Sequence, residues 1–133
     1  MKQLLTLILM LLGSVIYSQI DLYTDYREFC IYNEKTESFS TCINKNENSI
    51  FKFNKDATIF THQIDSLSRT YYVKDTDHDE SKGDFMYYCE ANNIEYIVQI
   101  DLENNIIRII EANYAQTSQV CLIRYYISEI DNY

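Results

Sequence analysis

Residues 84–111 read DFMYYCEANNIEYIVQIDLENNIIRIIE. Two pairs, Asn92-Asn93 and Asn104-Asn105, punctuate three apolar runs. Asparagine tolerates positive φ, so each pair suits the centre of a two-residue hairpin turn. A turn centred on Asn104-Asn105 sets Leu102 opposite Ile107, Ile100 opposite Ile109 and Asp101 opposite Arg108. A turn centred on Asn92-Asn93 sets Cys89 opposite Tyr96, Tyr87 opposite Val98 and Phe85 opposite Ile100. Alternate residues of a strand share a face. Phe85, Tyr87, Cys89, Tyr96, Val98, Ile100, Leu102, Ile107 and Ile109 therefore gather on one side of a three-stranded meander. A slip of one residue would turn the whole set to solvent, which fixes the register. One pair runs against this arrangement: Glu90 falls opposite Glu95. The other face carries Met86, Tyr88, Ile97, Ile106 and Ile110, so a second sheet, a closing barrel or a partner is expected to cover it.

Working outward, Arg27–Tyr32, Ser38–Ile43, Ser49–Phe53, Thr58–Ile64, Arg69–Lys74 and Val120–Ser128 are further candidate strands. Their spacing predicts an all-β antiparallel meander of about seven to nine strands, curled into a barrel-like or sandwich domain. Beyond residue 18 the chain has one glycine, Gly83, and no proline, so Asn and Asp are expected to serve the turns. Residues 112–119 read as a short helix or a loop. Residues 21–28 are ambiguous between helix and strand.

The first eighteen residues differ from the rest. Lys2 precedes an apolar run, Leu4 to Leu12, broken only by Thr6. Gly13 and Ser14 end the run, and Ser18 gives a small residue before Gln19. This is the layout of a secretory signal peptide, a signal helix over residues 1–18 followed by a single β domain over residues 19–133. The run is shorter than the roughly 20 apolar residues a membrane-spanning helix needs. The expectation is a secreted or periplasmic protein with no membrane span once the signal is removed.

Lys2 is the sole charged residue of that segment. The remainder therefore sets 10 Lys plus Arg against 20 Asp plus Glu, a formal net charge of −10. This disfavours nucleic acid and anionic membrane surfaces, which reward positive charge. Four cysteines, Cys30, Cys42, Cys89 and Cys121, permit two disulfides in an exported chain, with three possible connectivities. No Cys-x-x-Cys pair is present, so thioredoxin-like chemistry and a zinc ribbon lack their local signature.

The sharpest local feature is Asp75-Thr76-Asp77-His78-Asp79-Glu80. Asp75, Asp77, Asp79 and Glu80 can offer oxygens to calcium, a hard cation that takes six to eight of them. The run departs from an EF-hand, with Glu80 where glycine belongs and Met86 where the bidentate acid belongs. It reads as an acidic loop between two strands. His62 shares a strand face with Phe60 and Ile64, and reads as a hydrogen-bonded core or edge histidine. A general base would need a partner that the sequence does not place. There is no Gly-x-Ser-x-Gly elbow and no glycine-rich phosphate loop. Tyr71-Tyr72, Tyr87-Tyr88 and Tyr125-Tyr126 should each turn one ring in and one out; the three outward rings read as an aromatic cover for a thin sheet, with an aromatic binding patch as the alternative.

These readings favour an exported, small, non-catalytic binding or interaction domain of the bacterial envelope or exterior. Its partner is a protein or small ligand that the sequence does not name. A calcium-binding domain using Asp75, Asp77, Asp79 and Glu80 is the alternative, and a small hydrolase built on His62 ranks last.

Overall fold

A computed structural model describes residues 19–111 and 120–132. The expected signal helix and the 112–119 connection lie outside the described residues. The elements are β1 (Ile20–Asn33), β2 (Ser38–Phe53), β3 (Ile59–Ile64) and β4 (Leu67–Asp79), then a 3-10 turn (Glu80–Lys82). β5 (Asp84–Ala91), β6 (Ile94–Asp101), β7 (Ile106–Glu111) and β8 (Cys121–Asn132) follow. Each strand pairs antiparallel with the next in sequence. β1 pairs with β8, closing a barrel. An eight-stranded barrel has an interior just wide enough to be filled by side chains, and closure removes the exposed sheet edges.

The core face of the meander is as the alternation requires. Phe85, Tyr87, Cys89, Val98, Ile100, Leu102, Ile107 and Ile109 are all buried, and Tyr96 packs against them. The first hairpin has the expected register, with Cys89 opposite Tyr96 and Phe85 opposite Ile100. Asn92 and Asn93 both take positive φ, 53° and 64°. Glu90 does face Glu95, and Lys74 from β4 ion-pairs with Glu90.

The second hairpin differs by two residues. Ile100 lies opposite Ile107 and Val98 opposite Ile109. The physical reason is the Asp101 carboxylate. It accepts the Asn104 backbone N–H at 3.2 Å and the Asn104 side-chain amide at 2.8 Å. This opens a four-residue turn over residues 102–105, with Asn105 at φ 56°. A shift of two preserves the face of every side chain. Arg108 reaches Asp101 diagonally, at 3.0 Å.

Three other boundaries move. β2 runs unbroken through Asn44–Asn48, joining two candidate strands into one of 16 residues. β1 absorbs the ambiguous segment and reaches 14 residues. β4 extends through the acidic run to Asp79, so that segment is a strand instead of a loop. Beyond Tyr72 it pairs with β5 alone among the described residues. Its inward-facing His78 packs on the rings of Phe85 and Tyr87, at 5.1 and 4.8 Å.

Cys30 lies opposite Cys42 across β1 and β2, and the two form a disulfide. Cys89 is a buried thiol and Cys121 a half-buried one. No described helix is long and apolar enough to cross a membrane.

Candidate functional site

The interior changes character along the barrel. Toward one end, Phe53, Phe60, Phe85 and Tyr87 fill the cross-section, with Phe53 stacked on Phe60 at 4.6 Å. Toward the other end the inward positions become polar. The period-two face of β2 runs Phe53, Phe51, Ser49, Glu47, Lys45. The face of β4 that carries buried Tyr71 also carries Arg69. In β1 a register shift between Thr24 and Tyr26 re-aims the strand, so Thr24 and Arg27 both point inward.

A hydrogen-bonded chain crosses the middle of this interior. Thr24 Oγ1 and Ser49 Oγ are 2.5 Å apart, and Ser49 Oγ lies 3.0 Å from His62 Nε2. The His62 ring stacks on Phe51 at 4.0 Å and meets the Tyr125 ring edge-on at 4.7 Å. Burial, aided by Arg69 and Arg27, pulls the His62 pKa down to about 4. The imidazole is therefore neutral at pH 7 and a weak base. Among the described residues no carboxylate bonds its Nδ1. Ser49 beside His62 thus lacks the third group that orients the base in an activated nucleophile. Of the core and edge positions that the strand pattern allows, His62 takes the core one, hydrogen-bonded to Ser49.

Above this chain sits the charged end. Glu47 lies 3.7 Å from Arg27 and 3.4 Å from Lys45. Arg27 Nε and Glu47 Oε1 are buried with no hydrogen-bond partner among the described residues. Arg69 is exposed at the rim and hydrogen-bonds the Tyr96 hydroxyl at 3.3 Å. Its guanidinium carbon is 5.7 Å from the centre of the Tyr96 ring, within cation–π reach. Tyr71 meets Tyr96 edge-on at 5.5 Å. Burial raises the Tyr71 pKa, and hydrogen bonding to Arg69 opposes the rise.

On the outer wall a cleft of about 400 Å³ lies over β8, β1, β2 and β3. Tyr23, Asn48, Gln63, Asp65 and Glu129 line it, with Thr24 and Ser49 among its walls. The hydroxyl chain therefore links this cleft to His62 inside the barrel.

The acidic run is arranged differently. Asp75, Asp77 and Asp79 alternate along the exposed end of β4, and Glu80 opens the 3-10 turn. The Asp75 carboxylate accepts the Thr76 N–H at 2.8 Å, and the Asp79 carboxylate accepts the Ser81 hydroxyl at 2.6 Å. Lys82 lies 3.9 Å from Asp79. A strand spaces alternate side chains along its length instead of converging them on a point. Among the described residues no three His, Cys, Asp or Glu side chains are grouped to hold a metal.

The tyrosine doublets divide as the alternation requires. Tyr71, Tyr87 and Tyr125 are buried. Tyr72 and Tyr88 are exposed, and Tyr126 is half-buried on the outer wall, donating to Glu28. Tyr126 lies on β8, away from Tyr72 and Tyr88 on β4 and β5, so the outward rings form no single patch. Comparison with protein-family models, with curated proteins and with solved structures finds no match for this chain.

Proposed function

We propose that this chain is an exported, non-catalytic binding domain that takes its ligand at the arginine-bearing end of the barrel. One observation carries the reading: the inward positions at one end carry Arg27, Lys45, Glu47 and Arg69, whereas Phe53, Phe60, Phe85 and Tyr87 fill the cross-section toward the other end. Turning charges toward an interior is costly unless they are paired. A barrel built for stability alone would continue the Phe51–Phe53 pattern to the rim. The mouths of β-barrels are also frequent ligand sites. Export is supported by the pattern of residues 1–18 and by the Cys30–Cys42 bridge, which suits an oxidising compartment.

The test has two parts. Intact mass from a bacterial host should correspond to a chain beginning at Gln19. The isotope-labelled protein is then titrated with the small-molecule fraction of that host's envelope extract. Backbone signals of Arg27, His62, Arg69 and Tyr96 should move while those of the Phe53–Phe60 end stay fixed. An uncleaved chain removes export from the reading. Shifts absent from the arginine end, in an extract that moves signals elsewhere, remove the site.

A further inference from the structure

We infer that the ligand of this end is a small organic carboxylate, held by the Arg69 guanidinium against Tyr96. This rests on the binding reading above and adds the chemical class. The local charge balance is the first argument. Glu47 is shared between Arg27 and Lys45 and so is already committed to two cations. Among the described residues no carboxylate lies within ion-pair distance of Arg69; Glu111, opposite Tyr96 on β7, is not paired with it. Its neighbours are three phenols, Tyr71, Tyr96 and Tyr125, and the neutral imidazole of His62, which lies opposite it across β3 and β4. Of the three cations that turn inward at this end, Arg27 and Lys45 share Glu47, and Arg69 has no carboxylate partner among the described residues.

Geometry supplies the second argument. The Arg69 fork matches a carboxylate through two parallel N–H donors, which a point charge does not. One Nη is engaged by Tyr96 Oη and Tyr71 also hydrogen-bonds the guanidinium, which leaves its remaining donors for a ligand at the rim. The Tyr96 ring lies under the guanidinium with Tyr71 edge-on to it, so the surroundings of the fork on the barrel side are aromatic. Depth limits size: Phe51, Phe60 and Val98 are fully buried below, so the ligand sits shallowly and is small.

The probe is benzoate, with benzamide as its neutral isostere. The full chain is titrated with each to about 10 mM, and backbone signals at the arginine end are followed. Benzoate is expected to bind there about tenfold or more tighter than benzamide. Arg69→Gln should weaken benzoate by about tenfold, and Arg69→Lys should fall between, since it keeps the charge and loses the fork. Arg108→Gln, on the outer wall, should leave benzoate binding unchanged, and the same spectra report whether each variant is folded. Benzamide binding the same end as tightly as benzoate overturns the carboxylate class and leaves the binding site standing. Benzoate affinity unchanged in folded Arg69→Gln, or no benzoate shift at this end, overturns the inference, and the extract titration then judges the site on its own.

Discussion

Burial sets the protonation of His62. Its ring lies between Phe51 and Tyr125, with Ser49 on Nε2, and the folded pKa falls from 6.5 to about 4. Between those values the unfolded chain binds a proton that the folded chain does not. Stability therefore rises with pH through that window, is fully present above pH 6.5 and is lost as pH falls toward 4. Lowering pH from 7 to 5 should cost about 2 kcal/mol through this residue. His78, also depressed by burial, contributes in the same direction. His62→Gln can keep a hydrogen bond to Ser49 and does not titrate. Urea midpoints at pH 7 and pH 5 should thus converge in the variant, leaving only the His78 and carboxylate contributions. An equal pH dependence in both proteins would show that His62 is not the buried titrating group.

Single strands obey their alternation, but the ends of strands depend on neighbours. The meander was legible because its apolar residues repeat with period two through turns made of asparagine. Asn92 and Asn93 both sit at positive φ, where a β-branched residue is penalised by about 1–2 kcal/mol. Asn93→Val should lower thermal and urea stability by that order, and Asn93→Gly should hold or raise it. Equal midpoints for the two variants would mean that the turn is not held in this conformation. Polar strand segments were not legible by the same rule. Asn44–Asn48 resembles a turn by composition, yet it is held extended by pairing with β1, 16 and more residues away. Asp75–Asp79 resembles a loop, yet its alternation of acids with Thr76 and His78 places the latter two on the inward face beside Tyr87 and Phe85. The Asn104-Asn105 turn was displaced by one carboxylate, Asp101, whose capping bonds composition does not reveal. The candidate site was least visible, because Arg27, Glu47, Arg69 and Tyr96 come from four strands. A signal was present: period two continued back from Phe53 reaches Glu47 and Lys45, and back from Tyr71 reaches Arg69.

At the scale of the molecule, the closing strand carries the most weight. β1 is bonded along its length to both β2 and β8, so it joins the start of the domain to its end. Such long-range pairing bears a loop-closure cost before its contacts form. The Cys30–Cys42 bridge ties the far end of the β1–β2 hairpin, across a sequence separation of 12. A closed loop of that size removes unfolded-state entropy equivalent to about 3 kcal/mol in the chain-entropy model. For a barrel of this size this is a large part of the margin. The paired variant Cys30→Ser with Cys42→Ser should therefore unfold at a lower urea midpoint, by about 2–3 kcal/mol. Reductant should reproduce that loss in the wild-type chain and leave the variant unchanged. Alkylation gives an independent check. Burial pushes the Cys89 thiol up to about 12, so in the native protein the half-buried Cys121 should react first and Cys89 only on unfolding. Four rapidly alkylated thiols in the native, unreduced protein, with a urea midpoint indifferent to reductant, would remove the bridge and, with it, the structural support for export.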